Sequence, residues 1–187
     1  MVGAWIALAH LVRRDGWPEW RPSDALALAA VVVVPVVALA VLNASSGFVW
    51  DDLKNLRQAQ VERLSFSYLI EPTSGHFAPG HRLGDWIQFR LFGFEFVPAQ
   101  VQLLAGFALS LLLFHRVLAD LFRPGAGAYL FTLAFGVSMV HVGVTQWWAS
   151  GLDRVPATVL SLLAVWTYVR WYRTRAWPWL AVSVTAI

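Results

Sequence analysis

The residues of this chain best suited to chemistry gather in one polar stretch. Asp51 and Asp52 are adjacent carboxylates opening a segment in which Leu53, Leu56, Val61 and Leu64 recur at helical spacing. Two acids in a first helical turn favour the dipole in any case, by a few tenths of a kcal/mol to about 1 kcal/mol. A carboxylate held against a lipid boundary is also a general-base candidate, because partial desolvation raises its basicity while the dipole opposes the rise. Further along, His76-Phe77-Ala78-Pro79-Gly80-His81-Arg82 sets two histidines around a Pro-Gly pair. They cannot share a regular helix face, which excludes the helical histidine pair of a metalloprotease. With an aspartate they could ligate a divalent cation, or they could simply make polar contacts at headgroup depth. Arg82 and Arg154 offer guanidinium groups, whose fork matches phosphate oxygens. His141 lies in an apolar run, where an imidazole either bonds one helix to another or lines a cavity. His115, Glu95 and Asp120 read as end-of-span residues with no chemical task.

The elements that must position these groups are membrane spans. Over 187 residues the chain is 58% hydrophobic and 13% charged, with a mean hydropathy of +0.59, which suits lipid and not a soluble domain. Its 11 Trp and 12 Phe supply the aromatics that settle at headgroup depth. Basic residues are scattered near the ends of apolar runs, so a nucleic-acid partner is not expected. The absence of cysteine removes disulfides and thiol chemistry. The expected fold is therefore all-α: a polytopic transmembrane bundle with interfacial amphipathic helices in a long first outer loop.

Residues 1–24 form an N-terminal interfacial segment; Arg13 and Arg14 follow its apolar part, the wrong order for a secretory signal. Span one covers 25–42, roughly 27 Å of uncharged helix with Pro35 as a kink. The outer loop runs over 43–97, with one amphipathic helix after Asp51, a short alternating run from Leu64 to Ile70, and a second helix carrying Leu83, Trp86, Ile87 and Leu91. Span two covers 98–121, with Pro98 in its first turn. Span three covers 126–148 and ends in a Trp147-Trp148 belt; span four covers 155–172, with Asp153 as its N-cap. An apolar run over 177–187 is too short to cross, which predicts a chain cut inside a fifth span. Arg13, Arg14 and Arg21, then Arg116 and Arg123, then Arg170, Arg173 and Arg175 mark cytoplasmic segments. The N-terminus is then cytoplasmic, and the first loop and Arg154 share the extracytoplasmic side of a bacterial plasma membrane.

On these residues the chain resembles a family. Phe48-Val49-Trp50-Asp51-Asp52-Leu53 after the first span, Gly75-His76-Phe77-Ala78-Pro79 before the second, and Gln146-Trp147-Trp148-Ala149-Ser150 leading to Pro156 look like the N-terminal part of the GT-C integral membrane glycosyltransferases, those similar to protein mannosyltransferases and aminoarabinose transferases. Asp-Asp stands here where several relatives have Asp-Glu. The resemblance implies a polyprenyl-phosphate-linked sugar as donor, with inverting transfer on the outer face to a glycan, lipid or protein hydroxyl. It makes Asp51 the general base, and Asp52 a residue that orients it or holds a divalent cation. It lets His76, His81, Arg82 and Arg154 steady the acceptor or the leaving phosphate. Two other readings compete: a non-catalytic membrane assembly subunit, and a transporter or flippase component for lipid-linked glycans. The latter would show polar or broken helices at mid-bilayer, whereas the spans here are bland apart from Pro35 and His141.

Overall fold

A computed structural model describes residues 22–72, 77–122 and 125–186. Among them every regular element is a helix: α1 (Pro22–Leu42), α2 (Trp50–Val61), α3 (Phe66–Ile70), α4 (Pro79–Phe92), α5 (Phe96–Phe122), α6 (Ala126–Gly136), α7 (Val140–Gln146), α8 (Trp148–Thr174) and α9 (Trp177–Thr185). Three are long and apolar enough to cross a membrane: Asp24–Leu42, Phe96–Phe122 and Trp148–Thr174. A fourth arises if α6 and α7, bent by 52° at their break, count as one span. The interfacial segment expected over 1–24 lies almost wholly outside the described residues, as does His76.

Several expectations change. The run from Leu64 to Ile70 does not alternate as an extended segment; Ser65 caps α3 by accepting the Tyr68 N–H at 3.2 Å, and local capping wins over period-two patterning. Asp153 does not cap span four. The helix expected over 155–172 begins at Trp148, so Asp153 and Arg154 lie inside α8, and Pro156 is carried within the helix as well. Trp148 does not belong to an interfacial belt: it is wholly buried, whereas Trp147 is exposed. The fifth run is a helix over Trp177–Thr185.

The chain divides into two compact units, and α1, α5 and α8 each contribute residues to both. The first unit comprises Met1–Val36, Ala108–Val137 and Thr158–Ile187. Here Gly136 allows Pro35 to approach: a Cβ at Gly136 would lie 2.7 Å from the Pro35 ring. His115 Nδ1 lies 3.2 Å from Thr132 Oγ1, and Phe114 stacks on Phe135 at 4.6 Å.

The second unit comprises Val37–Phe107 and Ser138–Ala157. Its apolar core is Ala99, Leu103, Val144, Trp148 and Val155, with Phe48 and Leu152 packed against it. Glycines bring its helices close, as small residues do where helices pack in membranes. Gly84 faces Leu152, Gly106 faces Val155, and Gly151 faces Leu103 and the Val144 carbonyl. Gly93 ends α4 at φ 60, a conformation that favours glycine.

Candidate functional site in the second unit

Helix α4 is built with a polar face inward, and α2 turns a mixed polar and apolar stripe inward. On α2 the buried residues are Asp52, Asn55, Leu56 and Ala59, while Trp50, Leu53 and Val61 are exposed. On α4 the buried residues are His81, Arg82, Asp85 and Gln88, while Leu83, Ile87 and Leu91 are exposed. Each buried set recurs at three- or four-residue spacing, one stripe of a helix. Burying such groups is tolerable only when they are satisfied, and the partners can be named.

Asp52 is completely buried, and both of its oxygens accept backbone N–H groups: Oδ2 from Val49 at 3.0 Å and Oδ1 from Ala149 at 2.8 Å. The first contact is half of a capping box; Val49 has no side-chain oxygen to supply the other half. Asp85 Oδ1 accepts the Trp148 indole N–H at 2.9 Å. His81 stands between two carboxylates, with Nε2 3.3 Å from Asp85 Oδ2 and Nδ1 3.1 Å from Asp153 Oδ1. The Asn55 amide lies 3.2 Å from the same Nε2, and which of its atoms faces the ring follows from the tautomer. Asp153 is about half exposed, so this chain of groups runs from the buried Trp148 to the surface.

The electrostatics follow from burial and neighbours. Burial pushes the Asp52 carboxyl above its usual value, the Val49 and Ala149 N–H groups pull it back, and the Asp85 charge pushes it up again. For His81, burial alone would lower the imidazole, but the bonds and charges of Asp85 and Asp153 outweigh it and raise the net value. Burial likewise raises the Tyr68 phenol, aided by Asp85 and opposed by Arg82.

Arg82 is buried, and its Nε and Nη2 are engaged. Nε donates to the Glu71 carbonyl at 3.2 Å, Nη2 to the Pro72 carbonyl at 3.3 Å, and the guanidinium lies 5.0 Å from the Tyr68 ring centre. The Tyr68 hydroxyl returns a bond to the Arg82 carbonyl at 3.2 Å. Arg82 thus ties α3 and its following turn to α4. Asp51 differs from its neighbour: it is exposed at the first turn of α2. Arg154 is also exposed, on α8. His141 is partly buried, its ring 4.7 Å from that of Phe107. Among the described residues no group of three or more His, Asp or Glu side chains is arranged to hold a metal ion.

Beside this network is an open groove of about 520 Å³ lined by Ser46, Gly47, Val49, Gly143, Gln146 and Trp147. That volume falls in the range of small-molecule sites, roughly 300–1,000 Å³. Asp52 accepts from the backbone of Val49, which lines the groove, and of Ala149, two positions after the lining Trp147. Asp85 holds Trp148, the residue after the lining Trp147, through its indole N–H. Asp51 follows Val49 by two positions.

Sequence patterning singles out Asp51, Asp52, His76, His81, Arg82 and Arg154 as site residues and Trp148 only as part of an aromatic belt and a motif, and it passes over Asn55, Asp85 and Gln88. The readable signal was the i, i+4 pair His81 and Asp85 on one helix face, followed by Gln88 a turn later. No family model, curated protein or solved structure matches the chain.

Proposed function

We propose that the chain works as a membrane glycosyltransferase, moving a sugar from a polyprenyl-phosphate donor to an acceptor hydroxyl on the outer face of the membrane. The observation that carries this reading is the contrast within the acidic pair. Asp52 is consumed in holding the backbone of Val49 and Ala149, which leaves Asp51 as an exposed carboxylate on the same helical turn. In this scheme the acceptor oxygen attacks the anomeric carbon as its proton passes to Asp51. The bond from that carbon to the phosphate oxygen breaks, polyprenyl phosphate leaves, and the configuration inverts. Arg154 is the cation offered to the leaving phosphate. Helices α2 and α4 lie in the outer interface with Trp50, Leu53, Val61, Leu83, Ile87 and Leu91 towards lipid, a reading supported by the exposure of these apolar groups.

The test is Asp51→Asn assayed for transfer from a polyprenyl-phosphate sugar. Loss of a general base lowers kcat by about 100-fold or more, with folding intact. Transfer at the wild-type rate removes Asp51 from the chemistry.

A transporter of lipid-linked glycans is the second reading, favoured by the 52° break between α6 and α7, since interrupted helices line substrate paths in transporters. Under it, Asp51→Asn leaves movement of the lipid-linked glycan across vesicles unchanged.

A further inference from the structure

A neutral imidazole carries one N–H and one bare nitrogen, so it donates to a single acceptor, whereas the imidazolium donates to two. His81 faces two acceptors. Its Nε2 lies 3.3 Å from Asp85 Oδ2, one turn along α4, and its Nδ1 lies 3.1 Å from Asp153 Oδ1 on α8. Both contacts are hydrogen bonds only when the ring is charged. In the neutral ring one nitrogen lone pair meets a carboxylate oxygen, and that contact is repulsive.

The two carboxylates are not equivalent. Asp85 is 1% exposed and its other oxygen accepts the Trp148 indole N–H at 2.9 Å, so an unmatched Asp85 would be a buried charge. Asp153 is 54% exposed, and His81 is its side-chain partner. Water replaces the ring at Asp153 at little cost. The Asn55 amide, 3.2 Å from Nε2, presents either its carbonyl or its N–H groups and so fits both forms of the ring.

The other ionisable groups around the ring replace neither partner. Asp52 on α2 is held by two backbone N–H groups and meets His81 only through its charge. The Tyr68 hydroxyl of α3 donates to the Arg82 carbonyl, and Arg82 turns its guanidinium to the carbonyls of Glu71 and Pro72 and, at 3.4 Å, to Glu71 Oε2. Arg154 follows Asp153 on α8. The two carboxylates outweigh burial, so the ring holds its proton more tightly than a free histidine does.

We propose that His81 is a proton-operated clasp: charged, it ties α4 to α8 by holding Asp85 and Asp153 together, and on losing its proton it keeps Asp85 and releases Asp153. The proton leaves Nδ1 for solvent on the exposed side, and Nε2 keeps its hydrogen on Asp85. The surface end of the contact between α4 and α8 opens, while the bond from Trp148 to Asp85 stays closed beneath it. The clasp uses neither Asp51 nor Arg154, so it stands whether or not the chain transfers a sugar.

Hydrogen exchange of α4 in the detergent-purified full chain, corrected for the base-catalysed rise in intrinsic rate, tests the clasp. It is paired with nitrogen spectra of the histidine-labelled chain, in which the signal missing from His81→Gln identifies the ring. Protection of α4 falls about tenfold as His81 loses its proton, the loss of one charge-assisted hydrogen bond. The step lies on the alkaline side of pH 6.5. Asp153→Ala has the lower protection at every pH and no step; it removes a half-exposed group and leaves Asp85 and Trp148 in place, so it serves if His81→Gln fails to fold. Protection that does not change across the titration of His81, or a full step in Asp153→Ala, overturns the clasp. So does a ring that keeps one protonation state from about pH 5 to pH 9.

Discussion

The Asp52 carboxylate accepts the backbone N–H of Ala149 at 2.8 Å across 97 positions of sequence, so one side chain of α2 fixes the start of α8. Its second oxygen holds Val49. Asp52→Ala leaves both N–H groups short of an acceptor and destabilises the protein by about 2–6 kcal/mol, from roughly 1–3 kcal/mol for each orphaned group. Asp51→Ala loses only a favourable charge near a helix N-terminus, under about 1 kcal/mol. Thermal unfolding in detergent measures both; equal losses would remove Asp52 from its anchoring role.

Trp148 and Asp85 form the second tie at the start of α8. Trp148→Phe preserves most of the buried ring but removes the indole N–H, leaving a buried carboxylate oxygen without that donor. The expected cost is about 1–3 kcal/mol, and Trp148→Phe combined with Asp85→Ala costs less than the sum of the two single changes. Additive losses in that double-mutant cycle would mean the bond contributes nothing.

Protonation of His81 couples stability to pH. Its folded value is raised above 6.5 by Asp85 and Asp153 against the effect of burial, so its contribution is complete below pH 6.5 and fades as pH climbs through the folded value. Asp52 is an acid raised above 3.8, so the unfolded chain releases that proton first. Its contribution is complete below pH 3.8 and declines as pH rises through its own window. The advantage of wild type over His81→Gln in unfolding temperature is therefore largest on the acid side of pH 6.5 and shrinks above it. An advantage that grows with pH would reverse the assignment.

Two glycines separate close packing from open space. A Cβ at Gly151 would stand 2.7 Å from the Val144 carbonyl oxygen, a backbone atom that no rotamer change can move. Gly151→Ala therefore costs about 1–3 kcal/mol. At Gly143, on the groove, a Cβ meets nothing within 4 Å, and Gly143→Ala is neutral or slightly stabilising by helix propensity. Unfolding temperatures that ranked the two variants in the opposite order would contradict this packing.

Three helices long and apolar enough to cross a membrane were legible because length and apolarity alone mark them, and the helix after Asp51 was legible from Leu53, Leu56 and Val61. Which side of that helix turns inward was not. Leu53 and Val61 are exposed, while Asp52 and Asn55 are buried beside Leu56 and Ala59, so the inward stripe mixes polar and apolar groups in a way the apolar spacing does not predict. Asp52 and Asn55 find partners, Ala149 and His81, that sequence distance conceals. Asp153 misleads for a related reason: it has the residue type of an N-cap, but the helix starts earlier, at Trp148, and Asp153 instead faces His81. Arg82 has the chemistry of a phosphate ligand, and its bonds to Glu71 and Pro72 become visible only once the turn after α3 is folded against α4.

Transfer on the outer leaflet requires Asp51 to be reached from outside the cell. The sequence contains no cysteine, so Asp51→Cys introduces a single thiol that a membrane-impermeant maleimide can report in intact cells. The expected result is labelling of that thiol without permeabilisation, while Arg173→Cys labels only after it. Labelling of Asp51→Cys solely in permeabilised cells would put the acidic turn in the cytoplasm and contradict glycosyl transfer at the outer face.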